Sequence, residues 1–597
     1  MSTRGYTADL EDIRFVLFQQ LDAATRLAGY APYEAFDQDT YDATVEEAAR
    51  IAEEVLAPAN RAGDEEGVHF DGKGNVTTPA AFKEAWAAIS EGGWIGVDAS
   101  DEVGGIGMPH LMHVITNELF SGAATAFTMY PGLTAAAARV IATDAPEAMR
   151  ELVATKMFTG EWAGTMCLTE AGAGTDVGSN RCKATRTSES GIYELEGEKI
   201  FISGGDHDLT SNIVHLVLAR TPDAPSGTRG LSLFLVPKFL FSDDGELGER
   251  NGVFVGNIEH KMGITGSATC TLLLGDRQPC KAWIVGEEGG GIGLMFHMMN
   301  EARLGVGNQG LGLAVHAYGN ALAYARERLQ GSSIENFKDA DAPKVAIIEH
   351  PDVRRMLLRQ RSQIDALRSL ICRLGFLADV AEHDPDDSAR EQAKGRIDLL
   401  TPLVKAHGTD VGFECTNLAL QVLGGYGYIR EYPVEQHVRD ARIGAIYEGT
   451  NGVQALDLLG RKLRMKGGAL FMSWMQDAGE TIAKAEAAGF GDQAGAVGKA
   501  LQQIGATAMH LGGLAGQGQL PRALLGATPF LRAMGIVTLA IESLEQAVVA
   551  KESGSALANR KSVNLRFYVA HVLPEATALA KGIQADDGAA LEEAAFA

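Results

Sequence analysis

The sequence predicts an α+β chain in which helical regions flank one β domain, and three observations carry that expectation. Apolar residues recur at helical spacing up to about residue 160; short β-branched runs separated by turn residues follow from 162; and helical periodicity returns after a glycine hinge at 286–293. The expected order is an N-terminal arm (1–35), a helical domain (36–161), a middle antiparallel β domain (162–285), a helical bundle (286–467) and a helical extension (468–597).

Each element follows from its residues. Tyr41 to Val55 (YDATVEEAARIAEEV) spaces its apolar residues three and four apart, as one helix face requires. DEVGGIGMP at 101–109 breaks that pattern. The runs YELEGEKIFIS, IVHLVLAR, GLSLFLVP, GVFVG and TCTLLL are bounded by turn residues, the pattern of a compact antiparallel domain. Beyond the hinge GEEGGGIG, Val353, Met356, Leu357, Ile364, Leu367, Ile371 and Leu374 fall at helix spacings suited to a bundle. From about 468 the chain is Ala- and Gly-rich and helical.

Composition removes several function classes. A chain of 597 residues is too long for a single hydrophobic core. A formal charge of -25 disfavours a nucleic-acid partner, which needs clustered Lys and Arg; residues 469–597 carry nine Lys and Arg against twelve Asp and Glu. The six cysteines form no C-x-x-C pair, so neither a thiolate zinc site nor a disulfide framework is expected. MSTRGYTADLEDIRF lacks an apolar segment behind a basic start, and no uninterrupted apolar run reaches the ~18 residues that span a bilayer. A cytoplasmic chain with no membrane span is expected. His207, in the turn DHD, is expected to be a turn histidine and not a metal ligand.

Residues 169–178, TEAGAGTDVG, resemble a nucleotide-binding glycine loop only superficially. The dinucleotide fingerprint needs a βαβ unit around it, and here further β segments follow. Two readings stay open on these residues alone: a loop that caps the β domain, or a loop whose backbone N–H groups and Thr169 and Thr175 hydroxyls hold a cofactor.

TMCLTEAGAGTDVG (165–178), KIFISGGDHD (199–208), KMGITGSATC (261–270) and QVLGGYGYIREYPVEQHVRDARIGAIYEGT (421–450) occur in an order that resembles the acyl-CoA dehydrogenases, over roughly residues 40–465. GERNGVFVGNIEHKMG, MMNEARLGVG, HPDVRRMLL and YEGTNGVQALDLLGRKL look like the longer subgroup that includes 3-methylthiopropanoyl-CoA dehydrogenases. The resemblance implies the acyl-CoA dehydrogenase fold, with its C-terminal four-helix bundle and here an extra extension. It also implies FAD as cofactor, an acyl-CoA substrate, an electron-transfer flavoprotein as acceptor, and at least a homodimer.

The implied reaction removes a weakly acidic hydrogen from Cα of a thioester, so the site needs a carboxylate base and hydrogen-bond donors at the thioester oxygen. Glu448 matches the family's general base. Leu168, Thr169, Thr175, Phe201 and Ser203 match flavin contacts; Gln421, Gly424 and Gly425 match a segment that reaches a neighbouring subunit's FAD; and Arg328 and Thr450 complete the cofactor set. Thr175, Asn300, Arg303, Tyr447 and Gly449 match the substrate side. Some relatives carry the base just before the arginine matched by Arg303, but here that position is Ala302, and Glu301 points about 100° away around a helix. Two family glutamines are replaced by Pro351 and Gly452, which leaves the adenine contacts less complete than the ring contacts. Phe127 to Gly132 is expected to line the floor of the acyl pocket.

Overall fold

A computed structural model describes residues 5–596. The chain forms two compact units: residues 50–108 with 123–305, and residues 5–49 with 109–122 and 306–596. Long helices such as His110–Asp144 and Gly291–Glu327 contribute to both units.

In the first unit the core is an eight-stranded sheet. Its order is Val253–Ile258, Thr269–Leu274, Ile192–Ser203, Cys280–Val285, Leu231–Pro237, Asn212–Arg220 and Trp162–Cys167, with Lys183–Arg186 paired alongside Ile192–Ser203. All five predicted runs are strands. The sheet is antiparallel except at one edge, where Trp162–Cys167 runs parallel to Asn212–Arg220 and Lys183 pairs in parallel with Arg220. Three strands escaped the sequence reading because they sit beside glycine, proline or charged residues that mask a two-residue period. The inner strands are buried on both faces, so Asn212–Arg220 reads as a nearly continuous apolar run. Tyr130 fastens this sheet to its helical neighbour, donating to the Gly266 carbonyl (3.0 Å) and accepting from the Ala268 N–H (2.8 Å).

The second unit is helical. Met356, Leu357, Ile364, Leu367, Ile371 and Leu374 are buried along Pro351–His383, which packs on Asp387–Leu423 as the spacing predicts. Glycine sets the closest approach in the bundle: a Cβ on Gly310 would lie 2.7 Å from the Gly408 carbonyl oxygen, and one on Gly412 would lie 2.6 Å from that of Gly310. The extension adds Ala527–Glu552, the one described helix apolar and long enough to cross a membrane; 89% of that window is buried. It is a core helix here, and its Glu542 binds Arg373 at 2.9 Å.

Candidate active site

The β-domain loop is built around a buried charge. Trp162–Cys167 ends at Leu168 and Thr169, and Lys199 in the adjoining strand is completely buried. The Lys199 ammonium donates to the Leu168 carbonyl (3.1 Å) and to the Glu170 carboxylate (2.8 Å). Glu170 also accepts the Arg181 and Cys182 N–H groups at 2.6 and 3.0 Å. Burial alone would raise the Glu170 carboxyl, but Lys199 and these donors outweigh it and hold it below the usual range. Neither Lys199 nor Glu170 was picked out in the sequence, although a lysine inside the apolar run KIFIS was a signal for a buried, paired charge.

Phe201 stands on a β-bulge. Ile200 and Phe201 together face Thr271, and Phe201 takes φ 59°, a left-handed conformation costly for a side-chain-bearing residue. The bulge turns the ring outward, leaving it 59% exposed. Ser203 pairs with Thr269 two residues on, and Thr169 accepts the Ile200 N–H at 2.9 Å. Thr175 is exposed in the glycine loop, and a Cβ on Gly172 or Gly174 would meet nothing within 4 Å. One unit thus gathers an open aromatic face, three hydroxyl residues and an accessible glycine backbone.

Asn300 and the buried Arg303 lie one turn apart on a helix, with Arg303 donating to Asn300 at 3.3 Å. Glu301, the neighbouring acid, forms an ion pair with Arg139, which also binds Asp98. Thr128, Met129 and Tyr130, from the segment expected to floor a pocket, are buried within His110–Asp144.

Tyr447, Glu448, Gly449 and Thr450 form the loop between Arg442–Ala445 and the helix Asn451–Gly460. Glu448 takes φ 54° and Gly449 φ 84°, two successive left-handed residues. Glycine makes the second inexpensive; the first costs on the order of 1–2 kcal/mol and persists only when its neighbours enforce it. The Tyr447 hydroxyl donates to Gln309 on one side. On the other, Thr450 caps the next helix by accepting the Val453 N–H at 3.2 Å, and Gln454 donates to the Gly449 carbonyl at 3.3 Å. Burial first, and then the Glu448 charge, hold the Tyr447 phenol above its ordinary value.

A pocket of about 460 Å³ in the helical unit is lined by Arg328, Gln330, Gly424, Gly425 and Tyr426 among others. Asp387–Leu423 stops at Gly424, whose φ of 61° suits glycine, and the Arg328 guanidinium lies 5.5 Å from the Tyr426 ring centre. Gln421 is exposed one turn earlier and does not line this pocket; its carbonyl accepts the Gly424 N–H. Gln330 and Tyr426 are lining residues that the sequence reading missed, Gln330 standing only two positions after Arg328. Pro351, in place of a family glutamine, is the first residue of its helix, where a missing N–H is tolerated.

His207 is buried, its Nδ1 accepts the Leu209 N–H at 3.2 Å, and burial holds it at about 3. Its flanking acids are engaged elsewhere, Asp206 with Lys238 and Asp208 with Thr78 and Lys83. All six cysteines are buried and free.

The class, a flavin-dependent oxidoreductase acting on a CH–CH bond, follows from likeness to known proteins. Family descriptions match in chain order: acyl-CoA dehydrogenase N-terminal domain over 38–161, middle domain over 165–276, C-terminal domain over 289–463, and acetyl-CoA dehydrogenase C-terminal-like over 474–593. The 3-methylmercaptopropionyl-CoA dehydrogenase of Ruegeria pomeroyi is 39% identical over 533 residues, 89% of each chain. A butyryl-CoA dehydrogenase of Syntrophomonas wolfei is 36% identical over 609 residues, 99% of each chain. Among solved structures, Caenorhabditis elegans ACDH-11 in complex with C11-CoA superposes with a TM-score of 0.74 at 20% identity, covering 99% of this chain and 97% of that one. The chain belongs to the acyl-CoA dehydrogenase family.

Proposed function

We propose that this chain dehydrogenates 3-methylthiopropanoyl-CoA to 3-methylthioacryloyl-CoA, and short to medium straight-chain acyl-CoAs beside it, with Glu448 as the base. The observation that carries the reading is the left-handed Glu448, half-buried and fixed between a hydrogen-bonded Tyr447 and a helix-capping Thr450. A carboxylate held this way has its backbone N–H and side chain set together, so one residue can take the Cα proton while its N–H supports the charge that develops on the thioester oxygen.

The residues fit FAD. Phe201 offers an aromatic face, and Thr169, Thr175 and Ser203 offer hydroxyls suited to a flavin ring and its phosphates. The Arg328 pocket offers a guanidinium beside open glycine backbone, suited to a pyrophosphate and adenine end. When bound, FAD accepts the hydride that leaves Cβ. Arg303, Asn300, Thr175, Tyr447 and Gly449 hold the thioester and its CoA. Gln421, Gly424 and Gly425 serve a second subunit's cofactor, so the working form is at least a homodimer. An electron-transfer flavoprotein takes up the electrons, and the enzyme acts in the cytoplasm.

The likeness to a 3-methylmercaptopropionyl-CoA dehydrogenase over most of both chains supports the sulfur-containing substrate, and the likeness to butyryl-CoA dehydrogenases supports the straight-chain ones. Sulfur replaces one methylene, and a pocket discriminates by only ~1–3 kcal/mol per methylene. A panel of acyl-CoAs with an artificial electron acceptor tests the assignment. Turnover of 3-methylthiopropanoyl-CoA, with butanoyl- to hexanoyl-CoA within about 200-fold of it, is expected. Turnover confined to long or branched acyl-CoAs would overturn the substrate while leaving the class intact.

A further inference from the structure

Lys405 lies mid-way along Asp387–Leu423 and is completely buried. A buried ammonium is costly without acceptors, so each acceptor it holds is informative. Its Nζ donates to the Asn451 side-chain oxygen at 3.0 Å. Asn451 is the first residue of its helix, three positions after Glu448.

The Asn451 side chain is committed at both ends. Its oxygen accepts from Lys405, while its nitrogen faces the Ala406 carbonyl (3.1 Å), the Thr409 hydroxyl (3.2 Å) and the Asp410 carboxylate (2.9 Å). All four partners belong to two turns of the Lys405 helix. Two residues beyond the end of the Asn451 helix, Lys462 binds Asp398 of the same partner helix at 2.6 Å.

We infer that Lys405, acting through Asn451, is a positioning residue that holds Glu448 in its left-handed conformation; this rests on the reading of Glu448 as the base. Only Gly449 and Thr450 separate the fastened amide from the strained residue. Fixing Asn451 at one end and Tyr447 at the other leaves the intervening backbone little room to relax toward an ordinary right-handed or extended state. Lys405 contributes orientation as well as anchorage. Its ammonium requires an oxygen, so it fixes which end of the Asn451 amide faces inward and lets the nitrogen reach its acceptors.

The test uses purified, FAD-loaded Asn451→Ala, Lys405→Met and the double variant, with rapid-mixing measurement of flavin reduction. A displacement of the base should slow reduction by about 10- to 100-fold at saturating substrate. The half-saturating substrate concentration and the flavin content should stay near wild type, and α-deuterated substrate should show a larger isotope effect. The double variant should be no slower than the slower single variant, because both residues act through one link. Where alanine at 451 prevents folding, Asn451→Ser, which keeps an acceptor for Lys405, carries the same comparison with a smaller loss. Single variants that reduce flavin within twofold of wild type would overturn the inference. So would losses that track flavin content or thermal stability with an unchanged isotope effect, the mark of a purely structural anchor. Glu448→Gln separates the two ideas: if it is inactive while the Lys405 and Asn451 variants are normal, only the positioning role fails.

Discussion

Two regions of the helical unit use carboxylates in opposite ways. Where the N-terminal arm, the bundle and the extension meet, Asp9, Asp12, Glu118 and Asp365 are interleaved with Arg361, Arg368 and Lys561. Arg361 binds Asp9 at 2.7 Å, Arg368 binds Asp12 and Glu118 at 2.6 Å each, and Lys561 binds Asp365 at 2.9 Å. Three of these acids lie close enough together to suggest a cation site, but the three basic side chains already occupy the space between them. The Glu448 loop, by contrast, invests in backbone geometry: a left-handed acid, a glycine after it, and hydrogen bonds from either side. The first arrangement fixes how distant parts of the chain dock; the second sets one acid at a defined place. In the first, burial disfavours ionisation and the opposing charges around Asp12 offset it, holding its carboxyl below the usual range.

Removing one member of the buried network is the most severe way to test that contrast. Asp12→Ala takes one buried acceptor from both Arg368 and Lys561, leaving Glu118 and Asp365 to hold them, and should cost about 3–5 kcal/mol. Denaturant titration should show a large fall in midpoint, with folded enzyme still reducing its flavin at close to the normal rate. A midpoint change equivalent to less than about 0.5 kcal/mol would show that the junction is not held by these charges.

Acid should weaken the fold through another set of buried groups. Burial holds His207, His215 and His407 at about 3 and His316 at about 4. In the unfolded chain each titrates near 6.5, so the unfolded state binds more protons between those values. Their contribution is complete above pH 6.5 and declines as pH falls towards 3–4, by about 1.4 kcal/mol per histidine per pH unit. Asp379 acts in the opposite direction. Burial raises it to about 6, so its penalty is relieved as pH falls through that value. His437 is lowered by burial as well, and Glu118, Asp410 and Glu545 are raised as Asp379 is. Because the histidines begin to charge in the unfolded chain near pH 6.5, a lower melting temperature is expected at pH 5.5 than at pH 7.5. An equal or higher one at pH 5.5 would contradict the account.

Helical periodicity and the five strand runs made the order of elements legible in the sequence, because burial on one face or both imposes a period. The Glu448 loop was legible as a candidate site through resemblance, since YEGT by itself is a short polar loop segment. What stayed hidden was long-range pairing. Lys199 with Glu170, Lys405 with Asn451, and Asp12 with Arg368 join residues separated by tens to hundreds of positions, and each became readable only once folding had placed the partners together. The parallel edge strand and the Phe201 bulge were hidden for a related reason: register is set by neighbouring strands, and a local run does not display it.

The central claim is that Glu448 removes the Cα proton, and stopped-flow bleaching of the flavin after mixing with acyl-CoA tests it most directly. Glu448→Gln preserves size, backbone and the N–H at that position while removing the proton acceptor. It should bind FAD and substrate but reduce the flavin at least ~10²- to 10⁴-fold more slowly. Glu301→Gln, which removes an ion pair with Arg139, should stay within about tenfold of wild type. A Glu448→Gln enzyme that bleaches at the wild-type rate would contradict the account, and an inactive Glu301→Gln beside it would move the base to the other helix.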